Sequence, residues 1–257
     1  MPIHTNREKF LEEWYATLEI LRNISSQVCL PQNRPSWISD SAPSGAQADQ
    51  FLHAFYYQKT FEGRKAKYVD FFEKNKTNPD KARSNALSWW SGLKDAPEGE
   101  DIMLNTTSPF LKDALSEESL AELGQPIFRE ICSSVHSIRD YARRVPNAKV
   151  GLPSTGAAYK IDEKVEALSK TIWKFRTATG LNVQEVLSFI LYSGNMGDLP
   201  DRLWQAIDDP KYKIEGLGIS ALGELVGWAL PDHYPPRNGR TSKSLKALGY
   251  DVTIHVQ

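Results

Sequence analysis

Ile214-Glu215-Gly216-Leu217-Gly218 is followed by an apolar stretch with Leu222, Leu225, Val226 and Trp228, then by Pro231-Asp232-His233-Tyr234-Pro235-Pro236 and by Arg237-Asn238-Gly239-Arg240-Thr241-Ser242-Lys243-Ser244-Leu245-Lys246-Ala247-Leu248-Gly249. Two glycines one residue apart between helices permit a tight turn at positive φ and leave the backbone bare enough to approach a phosphate. The helix that follows would aim its amides and positive dipole end at that phosphate. The prolines form a rigid connection. Beyond them Arg237, Arg240, Lys243 and Lys246 repeat every third residue with no acid between Asp232 and Asp251, so the spacing predicts a basic stripe along one side of a helix, with Leu245 and Leu248 left for the core.

Outward from this stretch, helical periodicity dominates. Phe10, Leu11, Trp14, Leu18, Leu21 and Ile24 predict a helix over 6–25 that Thr5 and Glu8 would cap. Three prolines, a glycine and four serines mark 30–46 as a loop. Further helices are expected from Ala48, over 65–75, from Asn78-Pro79 through Trp90, and over 109–115, 117–123, 126–144, 162–179, 183–192 and 199–208; 95–108 reads as a polar loop. Val252, Ile254 and Val256 alternate like a strand, a pattern that fits either a domain cut from a longer protein or a natural terminus. The expected architecture is all-α: a multi-helix bundle with an N-terminal helical region, 1–148, and a C-terminal bundle, 149–257, divided by the Pro- and Gly-containing segment 145–155.

Composition bounds the function. The net charge of -1 excludes wholesale nucleic-acid coating, so DNA contact would need a local patch. Cys29 and Cys132 form no CxxC pattern, and the five histidines show no ligand spacing, so neither metal nor cofactor is expected. No run is long and apolar enough to span a membrane, and the charged N-terminus lacks a signal core; a cytoplasmic location is expected. Gly151-Leu152-Pro153-Ser154-Thr155-Gly156 has the glycine spacing of a phosphate loop but lacks the Lys-Ser/Thr that should follow. Arg139, Arg143, Arg144 and Lys149 read as charges complementing a helix end. Trp89-Trp90 and Tyr56-Tyr57 are adjacent pairs in which one ring should face the core and the other could stack a base.

The order of glycine turn, apolar helix, proline connector and basic helix ending Leu-Gly resembles the helix-hairpin-helix superfamily of base-excision DNA glycosylases. The resemblance covers about 40 residues, or about 90 if the helices from Val183 belong to the same bundle. It implies an acidic residue three positions past Pro235, where Asn238 stands, and in lyase-type members a lysine two past Gly218, where Ser220 stands. The small alanine usual four past that glycine is Leu222. An amide cannot stabilise an oxocarbenium-like sugar as a carboxylate does, and serine cannot form a Schiff base, so the resemblance implies a DNA-binding frame without the chemistry. The segment is also similar, more loosely, to recognition regions of modification-dependent restriction GTPases and related anti-phage ATPases.

The expected function is therefore a non-catalytic DNA-binding or modified-DNA-recognition module, with a motor or nuclease domain of the same protein as a further partner in restriction or antiviral defence. Phosphates would be held by the backbone of Gly216, Gly218, Ile219 and Ser220 and by Arg237, Asn238, Arg240, Lys243 and Lys246. Two alternatives stay open: an active glycosylase-like enzyme using another acid, and a scaffold whose basic helix docks an acidic protein.

Overall fold

A computed structural model describes residues 6–97, 99–153 and 158–254. Among the described residues the regular structure is helical, apart from one two-stranded hairpin. In chain order the helices are α1 (Arg7–Val28), α2 (Ser44–Lys59), α3 (Tyr68–Asn75), α4 (Pro79–Ser91), α5 (Glu100–Ile102), α6 (Ser108–Ala114), α7 (Glu117–Ala121), α8 (Gln125–Ser134), α9 (His136–Arg144), α10 (Ile161–Lys174), α11 (Val183–Tyr192), α12 (Leu199–Asp208), α13 (Ile219–Ala229) and α14 (Gly239–Ala247). The strands β1 (Phe61–Glu62) and β2 (Lys65–Ala66) lie between α2 and α3.

The described residues gather into two compact units: one holds Glu12–Phe110 and 230–254, the other Leu111–Ala229 and 6–11. The division expected at 148/149 falls inside the second unit. There the segment is tied down, with Val150 buried, Leu152 N–H on the Asn147 carbonyl at 2.9 Å and Lys164 Nζ on the Val145 carbonyl at 2.8 Å. Ser154–Ala157 of the glycine-spaced loop lie outside the described residues.

In the first unit α2 is buried over twelve consecutive residues, Gly45–Tyr56. A helix buried all round shows no amphipathic stripe. It carries Asp49 and His53 inside, with Gln50 Nε2 donating to Asp49 Oδ2 at 2.8 Å. α14 packs on α2 and α3, and α4 on α2. In the second unit α10 packs on α8 and α9, α11 on α7 and α12, and α13 on α9.

Several boundaries differ from the sequence reading for local reasons. Asn6 Oδ1 accepts from Glu8 N–H at 2.7 Å at the start of α1; Thr5, the expected cap, lies outside the described residues. The expected 126–144 helix breaks at Val135 (φ -84, ψ 118), where the buried Glu224 carboxylate accepts from His136 N–H at 2.8 Å and Ser137 N–H at 2.9 Å and so starts a new helix. The expected 95–108 loop is helical from Glu100, running into a π-helical turn, Met103–Thr107, that buries Met103 and Leu104. The 65–75 helix begins only at Tyr68, because Lys65–Ala66 pair with Phe61–Glu62. α10 ends at Lys174, short of Thr179. No strand forms in the described part of the tail, through Ile254.

Candidate nucleic-acid interface

Lys and Arg are not spread evenly. Residues 59–83 and 237–251 together hold twelve Lys/Arg against five Asp/Glu, in a chain whose net charge is -1. The fold brings these segments together: α14 lies on α2 and α3, with the β1–β2 hairpin joining them.

Asn238 fixes the start of α14. Its Oδ1 accepts from Arg240 N–H at 2.8 Å and Thr241 N–H at 3.1 Å, while Asn238 N–H donates to Thr241 Oγ1 at 3.3 Å, a reciprocal cap. Buried Leu245 and Leu248 hold the inner face, and Ser244 Oγ donates to the Leu52 carbonyl at 2.8 Å. At the far end Asn75 Nδ2 donates to the Ala247 carbonyl at 2.8 Å. Gly249 has φ +98 and lies so close that an added Cβ would stand 2.5 Å from the Asn75 carbonyl oxygen. Only a residue without a side chain fits there.

With both ends fixed, the cations are set over rings. The Arg240 guanidinium lies 5.6 Å from the Tyr57 centroid; Lys243 Nζ lies 6.0 Å from Tyr56 and 5.9 Å from Tyr68; Lys246 Nζ lies 4.5 Å from Phe72. These side chains are half-buried, their stems covering aromatic surface while the heads keep access to water. Lys246 also pairs with the exposed Asp251 at 3.1 Å, a contact weak enough for a phosphate to replace. Tyr57 is 46% exposed, against 6% for Tyr56, and its ring stacks on Phe61 at 5.7 Å. Arg64 and Lys65 extend the patch at the exposed hairpin turn.

Arg237 departs from the expected stripe. It precedes the cap, is 4% exposed and packs its guanidinium 4.8 Å from the Trp14 ring. Burial pulls its pKa down to about 10, against the opposing pull of Glu13. It is a core residue beneath the basic helix, so the one-sided stripe consists of Arg240, Lys243 and Lys246. Glu100 is an acid near this face: burial pushes its carboxyl up to about 8, with Arg240 opposing and Asp101 adding to the rise. At neutral pH it subtracts little charge from the patch.

The glycine turn belongs to the other unit. Gly216 has φ +93, and a Cβ there would meet Ile172 Cγ1 at 3.2 Å. Leu217 and Ile214 are buried, Leu217 N–H bonds the Ile214 carbonyl at 3.2 Å, and α13 starts as Leu222 N–H reaches the Gly218 carbonyl at 2.9 Å. The turn lines an apolar cavity of about 640 Å³ with Tyr141, Phe175 and Pro210. Gly216, Gly218 and Ile219 are half-buried; Ser220 is buried, its carbonyl accepting from Ser137 Oγ at 3.0 Å. The expected phosphate grip thus divides, its backbone part in one unit and its cations in the other.

The remaining motifs resolve simply. Arg143 pairs with Asp140, Arg139 with Asp162 at 3.5 Å and Lys149 with Glu215 at 3.7 Å, while Arg144 Nε donates to the Asp140 carbonyl at 3.1 Å, so three of these four cations face acids. Among the described residues no group of His, Cys, Asp or Glu could hold a metal, and no helix is long and apolar enough to cross a membrane. Cys29 and Cys132 are free thiols; burial raises both pKa values. Sequence reasoning missed Tyr68, Phe72 and the hairpin pair Arg64–Lys65; their only signal was the run of bases over 59–83. No protein-family model, curated protein or solved structure matches the chain.

Proposed function

We propose that this chain is a non-catalytic nucleic-acid-binding module whose contact surface is the basic and aromatic face of α14, α3 and the β1–β2 hairpin. One observation carries the reading: apart from buried Arg237, eleven Lys/Arg against five Asp/Glu stand in two segments that fold onto one another, in a chain whose net charge is -1. Arg240, Lys243, Lys246, Arg64 and Lys65 hold phosphates, and the rings beneath the helix cations fix their direction. Such a patch gives salt-dependent affinity because each phosphate contact releases condensed counterions. Asn238 serves as the helix cap, and DNA is the expected ligand.

Fluorescence anisotropy with labelled DNA at about 50 and 200 mM salt tests this. Wild type should bind at the lower salt and weaken steeply at the higher. The double variant Lys243→Ala/Lys246→Ala should bind more weakly and flatten the plot of log affinity against log salt by about one unit per lost contact. A wild type that binds no nucleic acid at about 50 mM salt sinks the proposal.

A further inference from the structure

α2, α3 and α4 line an open cavity of about 340 Å³ on the same unit as the basic face. Its size lies at the lower end of the range for small-ligand sites. Its walls include the rings of Phe55, Phe71 and Trp89, its polar groups the carboxamides of Asn75 and Asn85, and Lys59 completes the lining. Trp89 packs edge-on to Phe55 at 6.4 Å, and Lys59 Nζ stands 4.7 Å from the Trp89 centroid. Asn75 already uses its Nδ2 on the Ala247 carbonyl, which anchors the end of the basic helix to this wall and leaves Oδ1 as an acceptor. Asn85 is exposed on α4.

These parts match one ligand class. Aromatic walls take a flat π-system, carboxamides offer the paired donor and acceptor that a base edge requires, and an ammonium at the lining suits the attached phosphate. We infer that this cavity receives a single unstacked nucleobase while α14 and the hairpin hold the flanking phosphates. The inference rests on the nucleic-acid reading above and names its substrate: a strand with at least one unpaired base. Trp89 supplies the stacking face, Asn85 and Asn75 Oδ1 contact the base edge, and Lys59 contacts its phosphate.

Anisotropy titrations of the full chain with a labelled 12-nucleotide single strand and the blunt duplex of the same sequence decide it. Wild type should prefer the single strand. Trp89→Ala should weaken single-strand binding about tenfold while changing duplex binding little, and Trp89→Phe should restore much of the loss. Asn85→Ala, an exposed position whose replacement leaves packing intact, should cost about threefold on the single strand alone. Circular dichroism melts check that Trp89→Ala stays folded, and Asn85→Ala carries the test if it does not. If Asn85→Ala and a folded Trp89→Ala both leave single-strand affinity unchanged while Lys243→Ala/Lys246→Ala lowers it, the base slot is refuted and the binding face stands. Equal losses on strand and duplex also refute the slot. Failure of wild type to bind either ligand removes both.

Discussion

The glycine turn Ile214–Gly218 and the basic helix α14 are neighbours in sequence and carry similar polar signals, yet the fold uses them differently. The turn is absorbed: Ile214 and Leu217 are buried, Gly216 presses on Ile172, and the helix it opens is buried from Ser220 to Ala229. α14 buries one face and keeps Arg240, Lys243 and Lys246 half-exposed over rings. Both stretches contain a glycine at positive φ, but the consequences differ with what stands opposite. At Gly249 it is backbone, which cannot move aside; at Gly216 it is an isoleucine side chain, which can.

Gly249→Ala should therefore have the largest effect. The added methyl meets a carbonyl at 2.5 Å in a conformation L-residues avoid, so a loss of at least about 3 kcal/mol is expected, with the end of α14 pulled from Asn75. Denaturant unfolding measures it, and nucleic-acid affinity should fall with it. A mild loss would mean that the α14–α3 clamp is loose in solution.

The next effect compares a buried carboxyl with a half-buried one. Glu224, fully buried, accepts from His136 N–H, Ser137 N–H and Ser137 Oγ, so its charge is compensated by donors. Glu100 is raised to about 8 chiefly by burial. A carboxyl whose folded pKa exceeds its unfolded value binds the proton more tightly when folded. Its contribution to stability is then full below the ordinary carboxylate pKa and is lost as pH rises from about 4.5 to about 8. Glu100→Gln removes that dependence. Its unfolding free energy should match wild type near pH 4 and exceed it increasingly up to pH 8, by about 2 kcal/mol after allowance for solvent screening, with melting temperatures following the same order. Parallel melting curves for the two proteins over this range would show that Glu100 is solvated.

Gly216→Ala, where the strained φ remains but Ile172 can yield, should cost about 1–2 kcal/mol, clearly less than Gly249→Ala. Reversal of that order would mean that the turn, and not α14, is the rigid part.

The contrast explains what the sequence made legible. The helices with a one-sided apolar stripe, such as α1 with Phe10, Trp14, Leu18 and Leu21, were readable because their burial is periodic. The start of α4 was readable too, since Asn78 caps it by accepting from Lys81 N–H at 3.1 Å and Pro79 follows. The break at Val135 was not, because Glu224, which starts α9, lies 88 residues away from His136. For the site, the three-residue repeat of bases and the adjacent aromatic pairs are visible in the sequence, but which ring of Tyr56-Tyr57 is exposed is not, because the rings beside the cations stand 174 to 187 residues away from them in sequence. Arg237 shows the limit most clearly: in sequence it continues the three-residue repeat, and only the position of the Asn238 cap takes it off the helix and into the core beside Trp14.

The smallest expected effect bears on the residue that both readings share. Asn238 stands where a glycosylase-like acid would be implied, yet its side chain accepts the first amides of α14. If capping is its role, Asn238→Ala should cost about 1 kcal/mol, and Asn238→Asp, an equally good cap at a helix N-terminus, close to nothing. Nucleic-acid affinity should follow the same order, because the cap only positions Arg240 and Lys243 without itself contacting phosphate. Incubating Asn238→Asp with damaged duplexes should release no base: the side chain is 4% exposed and turned into its own helix, so a carboxylate there would be held by α14 amides instead of reaching a sugar. Appearance of abasic sites with Asn238→Asp alone would reverse this assignment, making α14 the remnant of a catalytic helix instead of a binding one.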